Sequence, residues 1–327
     1  MIDELTALRL IKERFKNVSE SVSLGIGDDA AAVKIHPEKL LLVTTDSQVE
    51  DIHFIKELIS AQDLGRKSVA VSVSDIGAMG GVAKFFLVTV GFSKEEDQEF
   101  LEGLMAGFQL GRDEFGLELI GGNLSASREL FIDVTVLGEV ESDIMVKRTG
   151  ARAGDTIYIS GTVGDSVLGL KALKSGKKDE KDRFLISRHI SPQPRLALGR
   201  ELAERKLVTS MIDVSDGLIL DLERITVEQG LGAEINVEQI PISPYYKDRI
   251  SDFVSEPYEP ALSGGEDYEL LFTAPREKRD DIKNISNTLN IEVTEIGYVK
   301  SSLPVRVLDS GGREIKTHKR GFIHFKE

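Results

Sequence analysis

The residues best suited to chemistry in this chain are carboxylates delivered at the ends of apolar runs. In residues 210–218 a β-leaning stretch ends in Asp213 and Asp216, three residues apart, with Ser215 and Gly217 beside them. A run at helical spacing follows, Leu218, Ile219, Leu222 and Ile225, with Asp221, Glu223 and Arg224 between them. The pattern reads as strand, tight turn, helix. Acids in such a turn can hold a hard cation, and the helix start can offer backbone N–H groups to phosphate. Helix capping accounts for Ser215 or Asp216 but not for Asp213, so cap and metal site both stay open on this stretch alone.

The same logic recurs upstream. Residues 40–46 form an apolar run that closes on Thr44, Thr45 and Asp46, with Ser47 and then His53 beyond. His53 is either a satisfied surface imidazole or a group that binds an anion. Asp75 sits among small residues in a helix expected over 61–79, where burying an unpaired carboxylate is costly and a cation would remove the cost. Gly121, Gly122 and Asn123 end another strand. Arg148 lies in a basic, glycine-containing segment, 147–155, and reads as a phosphate clamp or as a solvated turn. Residues 261–272 hold a glycine turn, the acids Glu266, Asp267 and Glu269, and a strand. Residues 25–30 fit G-x-G-x-x-A, but Asp28 and Asp29 would set two negative charges against a pyrophosphate, so a dinucleotide loop is rejected. Those acids suit a cation standing between them and phosphate, or a turn-forming Asp pair.

Strands expected over 40–46, 83–91, 119–123, 131–139 and 156–160, and helices over 61–79, 95–114 and 197–206, alternate so as to carry these acids. Residues 1–16 have an amphipathic helical pattern without the apolar core of a targeting peptide. Residues 171–183 are charge-rich and read as an exposed loop, and Pro192 and Pro194 mark a rigid connector. At 327 residues two mixed α/β (α+β) domains are expected, with the junction near 147. The net charge of −14 argues against a nucleic-acid-coating surface, and the absence of cysteine removes disulfides, thiolate metal sites and cysteine nucleophiles. The five histidines form no H-E-x-x-H pattern, and no P-loop or protein-kinase signature is present. No apolar run is long enough to span a bilayer. A cytoplasmic location is expected.

Seven segments occur in a characteristic order: GIGDDAA, TTDSQVEDIHF, SVSDIGAMGG, LIGGN, KRTGARAGD, SMIDVSDGL and SGGEDYELLFT. Through them nearly the whole chain resembles the thiamine-monophosphate kinases, within the ATP-binding superfamily of aminoimidazole ribonucleotide synthetase and selenophosphate synthetase. The resemblance implies two α/β domains of the aminoimidazole ribonucleotide synthetase type. Residues 1–147 would bind ATP and metal and form the dimer, and residues 148–327 would complete the active site. It implies several Mg2+ ions held by Asp29, Thr44, Thr45, Asp46, Asp75, Asn123, Asp213 and Asp216. ATP would meet Gly122, Asn123, Arg148 and Ser215, and thiamine monophosphate would lie by His53, Glu266 and Phe322. Asn123 stands where the family commonly has Asp, and Lys319-Arg320-Gly321 stands where Trp-Lys-Gly is familiar.

The activity implied is in-line transfer of the γ-phosphoryl group of ATP to thiamine monophosphate, giving thiamine diphosphate and ADP in thiamine diphosphate biosynthesis. The acceptor phosphate is already ionised near neutral pH, so no catalytic acid or base is assigned. Another ATP-dependent enzyme of the superfamily, or a non-catalytic nucleotide-binding regulator, are the alternatives. A homodimer without nucleic-acid or membrane partners is expected.

Overall fold

The computed structural model describes residues 10, 13–15, 20–24, 32–177, 179–302 and 304–323. The Asp28–Asp29 turn and most of the helix expected over 1–16 lie outside them. The chain divides into two compact units, Met1–Ile76 with Gly81–Asp143, and Gly77–Gly80 with Ile144–Glu327. Each combines helices with one main sheet, as the mixed α/β pattern implied.

In the N-terminal unit, β1 (Val22–Leu24) and β2 (Ala32–Val33) pair antiparallel. The main elements are β3 (Lys39–Val49), α1 (Ala61–Ala78), β4 (Val82–Phe92), α2 (Gln98–Phe115), β5 (Glu118–Ala126) and β6 (Phe131–Glu141). The sheet order is β3-β6-β4-β5, antiparallel except for the β4/β5 pair. Along β6 every second residue is buried, Ile132, Val134, Val136 and Val140, as a strand with one covered face requires. Ser72 of α1 donates to the Val134 carbonyl, which locates α1 on that face. The opposite face carries Val43, 63% exposed, and Leu41.

α2 starts at Asp97, whose carboxylate accepts from the Phe100 N–H at 2.9 Å, and stops at Gly116 in the left-handed conformation. Its buried face is Leu101, Leu104, Met105 and Phe108. Two glycines let α1 and α2 touch backbone to backbone. A Cβ on Gly107 would lie 2.1 Å from the Gln62 carbonyl oxygen, and one on Gly65 would lie 2.5 Å from that of Leu104.

In the C-terminal unit the order of elements is β7 (Thr156–Ser160), α3 (Asp165–Ser175), α4 (Glu180–Ile190), α5 (Leu196–Glu204), β8 (Ser210–Asp213), α6 (Leu218–Thr226), β9 (Gly232–Asn236), α7 (Pro244–Phe253), α8 (Glu259–Ser263), β10 (Leu270–Ala274), α9 (Arg279–Leu289), β11 (Val293–Lys300) and β12 (Val305–Leu308). The sheet order is β12-β9-β11-β7-β10-β8, with β12/β9 the parallel pair. β7, β8 and β10 are buried at every position. Their alternate residues feed two cores, which explains why they read as continuous apolar runs. Ile157, Ile159, Ile212 and Leu271 pack with Leu168, Leu185, Leu218 and Leu222. Tyr158, Met211, Leu270 and Phe272 pack with Leu198, Leu202, Ile282 and Ile285.

One expectation is overturned here. The charge-rich residues 171–183 are largely helical, with α3 running to Ser175 and α4 starting at Glu180. Asp179 and Asp182 form a capping box, Arg249 bridges both carboxylates, and Leu185 is fully buried. Local charge concealed a capped, anchored helix.

The α1–α2 contact yields a test. Gly107→Ala should lower stability by about 1–3 kcal/mol, because overlap with a carbonyl outweighs the helix propensity gained. A melt unchanged from wild type would refute the close crossing.

Candidate functional site

Strand alternation sorts the N-terminal candidates. Thr44 and Asp46 lie on the α1 side of β3, and the Thr44 hydroxyl donates to Asp75 Oδ2 at 2.5 Å. Thr45 falls on the opposite face, where its Oγ1 accepts from the Thr135 hydroxyl at 3.1 Å. Asn123 pairs with Thr89, in the cross-sheet row of Asp133 and Ser47. Register therefore sets Asn123 on the Thr45 side, apart from Thr44, Asp46 and Asp75. Gly122 pairs with Val88, and a Cβ there would lie 2.0 Å from the Val88 carbonyl oxygen, so only glycine fits. His53 is half-buried beyond β3, and its Nδ1 accepts from the Val49 N–H at 3.1 Å. In a neutral ring that bond leaves the proton on Nε2.

In the C-terminal unit, three loops meet at one end of β7, β8 and β10. Asp213 is the last residue of β8 and is 3% exposed. The strand pairing continues into the turn: Val214 N–H donates to the Glu269 carbonyl, Tyr268 N–H to Val214 and Glu266 N–H to Ser215, at 2.8–2.9 Å. The C-terminal segment closes over the same turn through the Phe322 N–H, which donates to the Asp216 carbonyl at 2.8 Å. Asp213, Ser215, Asp216, Glu266 and Phe322 are thus brought together. Arg148 is exposed on a bend just after Lys147, whose carbonyl accepts from the Met211 N–H of β8.

The acids of residues 266–269 divide the work. Asp267 is fully buried and caps α3, accepting from the N–H groups of Gly164 at 2.6 Å and Ser166 at 3.3 Å. Burial pushes its carboxyl well above the usual range, against those two N–H bonds. Glu269, with no exposed side-chain surface, accepts from Ser160, Arg188 and Arg195 at 2.5–2.6 Å. Glu266 keeps 25% of its side chain exposed, has a φ of 64°, and lies 3.3 Å from His189 Nδ1. Of the three it is the acid most open to a ligand.

The turn at 215–217 differs from the expectation that its N–H groups meet phosphate. All three donate to Oδ2 of Asp221, at 3.2, 3.1 and 3.1 Å. Burial raises the Asp221 carboxyl to about 6, with Arg224 opposing the shift and Asp216 adding to it. The Ser215 N–H is therefore committed within the turn.

The sequence pattern passed over Asp221, Arg224, Arg188, Arg195 and His189. Asp221 and Arg224 resembled the solvent face of an amphipathic helix, and Arg188 and Arg195 lie 81 and 74 residues from Glu269. Among the described residues no three carboxylate or imidazole side chains come together as a metal-holding group. Asp29 lies outside the described residues. The donors each unit presents are carboxylate and hydroxyl oxygens, a set that fits a hard cation such as Mg2+.

Comparison with known proteins gives this arrangement a class. Residues 27–140 match the family model "AIR synthase related protein, N-terminal domain" and residues 152–308 match the corresponding C-terminal domain. A thiamine-monophosphate kinase of Buchnera aphidicola is 37% identical, covering 98% of this chain and 99% of the relative. The crystal structure of the Stenotrophomonas maltophilia thiamine-monophosphate kinase superposes with a TM-score of 0.83 at 30% identity, covering 94% and 96% of the two chains. The structure described as AaThiL complexed with AMPPCP and TMP gives 0.79 at 33% identity, covering 98% and 97%. The fold is that of the AIR synthase-related proteins. Within it, the chain belongs to the thiamine-monophosphate kinase family.

The buried Asp267 sets a pH dependence. A carboxylate raised in the fold above its unfolded value of about 3.9 keeps its proton in the native state while the unfolded chain loses it, so stability falls as pH rises through that window. Chemical denaturation of wild type and Asp267→Asn should therefore show the difference shifting in favour of wild type as pH is lowered from about 7 to 5. A difference independent of pH would remove the assignment.

Proposed function

We propose that this protein transfers the γ-phosphoryl group of ATP to the phosphate of thiamine monophosphate, giving thiamine diphosphate and ADP. The observation that carries the reading is the near full-length match to thiamine-monophosphate kinases, among them the structure described with AMPPCP and TMP. The acids present at 46, 75, 213 and 216 support it.

Asp29, Thr44, Asp46 and Asp75 of the N-terminal unit, and Asp213 and Asp216 of the C-terminal unit, are the residues we assign to Mg2+. When bound, Mg2+ would offset repulsion between two anionic reactants and stabilise charge on the transferring group. Thr45 and Asn123, which the register sets on the other face of the sheet, are left out of this cation set. Gly122, Arg148 and the Ser215 hydroxyl are assigned to ATP. The partly exposed carboxylate of Glu266 and the ring of Phe322, 48% exposed, suit a substrate that is both cationic and aromatic, and His53 is assigned to its anionic end. The acceptor phosphate needs no strong base.

The exposed face of the N-terminal sheet supports a homodimer formed through that unit. Val43 is 63% and Leu41 42% exposed on that face, and Val43 is paired with Leu137, which packs with Leu87 against the buried Phe85 and Ile120. Exposed apolar side chains side by side on a sheet face mark an interaction site. ATP as co-substrate supports a cytoplasmic setting. Among the described residues no helix is long and apolar enough to cross a membrane.

Two measurements follow. Asp46→Ala and Asp213→Ala should each reduce ADP release with thiamine monophosphate by about a hundredfold or more while the protein stays folded; equal loss of folding and turnover would sink the metal assignment. Val43→Asp should convert a dimer to a monomer by light scattering, and an unchanged mass would exclude this face as the interface.

A further inference from the structure

The turn carrying Asp216 is held from behind by a pair of residues with no place in the assignments above. Asp221 reaches back from the first turn of α6, and its Oδ2 collects the N–H groups of Ser215, Asp216 and Gly217. That single oxygen fixes three consecutive peptides, including Gly217, whose φ of 132° an L side chain rarely adopts. Its other oxygen, Oδ1, accepts from Arg224 Nη1 at 2.6 Å. The second arm of the same guanidinium, Nη2, donates to Asp216 Oδ2 at 2.5 Å. Asp221 is 0% exposed, whereas the Asp216 side chain is 24% exposed and that of Arg224 35%. The order runs from a buried anchor, through a fork, to a carboxylate that reaches solvent.

We propose that Arg224 and Asp221 are positioning residues for the Asp216 carboxylate: Asp221 sets the backbone, and the Arg224 fork takes Oδ2 so that Oδ1 is oriented for a divalent cation. The inference rests on the reading that Asp216 is a metal ligand. A ligating carboxylate that is itself hydrogen-bonded loses less freedom when it binds, which is why such supporting contacts govern metal affinity. Two features make Arg the required residue. Its planar fork spans two carboxylates at once, and a lysine ammonium can act only as a point charge. Electrostatics alone also points the other way, because a positive charge next to a metal ligand disfavours the cation. A loss of metal affinity on removing Arg224 is therefore not what a simple charge effect would produce.

The test is Mn2+ binding to the full-length protein, read from the spin-resonance signal of free Mn2+ in the presence of a non-hydrolysable ATP analogue, with thermal melts as a folding check. Arg224→Gln and Arg224→Lys should both weaken Mn2+ binding by about tenfold or more while melting near wild type. Asp221→Asn, which keeps one acceptor oxygen, should weaken it in the same direction. If Arg224→Lys binds as tightly as wild type, the fork geometry is overturned; if Arg224→Gln binds more tightly, Arg224 is only a competing charge and the proposal falls. Wild type and Asp216→Asn binding Mn2+ equally would overturn the metal reading of Asp216 itself, a result distinct from failure of the clamp.

Discussion

Burial of carboxylates against backbone N–H groups and guanidinium forks is the interaction on which the C-terminal unit depends. A carboxylate taken out of water is tolerated only when its oxygens are satisfied. Asp221 satisfies its own with three peptide N–H groups and Arg224, Asp267 with the start of α3, and Glu269 with Ser160, Arg188 and Arg195. Each compensation ties a loop to a strand or helix. The acids that remain partly exposed, Asp216 and Glu266, are held on loops that the buried ones have already made rigid. Rigid support behind an exposed ligand is what a site needs if binding is not to be spent on ordering the loop.

The N-terminal unit works by a different constraint, the two-residue period of a strand. β3 offers Thr44, Thr45 and Asp46 in succession, and the pleat sends the middle one to the far side of the sheet. The same strand therefore serves two surfaces: hydroxyl and carboxylate oxygens toward α1, and an apolar row with Val43 toward the open face. The glycines at 65 and 107 let α1 and α2 approach closely over the covered face.

Much of this was legible in the chain. Runs such as 156–160 and 210–213 have the continuous apolar character of strands covered on both faces, and α2 is bounded by an Asp cap and a terminal glycine. The clustering of acids with glycine at 213–217 and 264–269 marked the loops that meet, and seven ordered segments carried the family resemblance, which the relatives bear out. The helices that overlap 171–183 were missed because composition outweighed the capping box of Asp179 and Asp182.

What the sequence by itself determined is the main strands and helices outside 171–183, the family and the places where acids leave strands, since these depend on local periodicity and on residues close in the chain. Tertiary structure decided which acid does which task. Whether an Asp faces solvent, caps a helix or anchors a turn depends on which N–H groups and guanidinium ions reach it, and those arrive from segments tens of residues away or, for Asp221, from the backbone bend onto which its own side chain folds back. Glu266, Asp267 and Glu269 are nearly adjacent in sequence. Their surroundings, not their order, make one available to a ligand and two part of the frame.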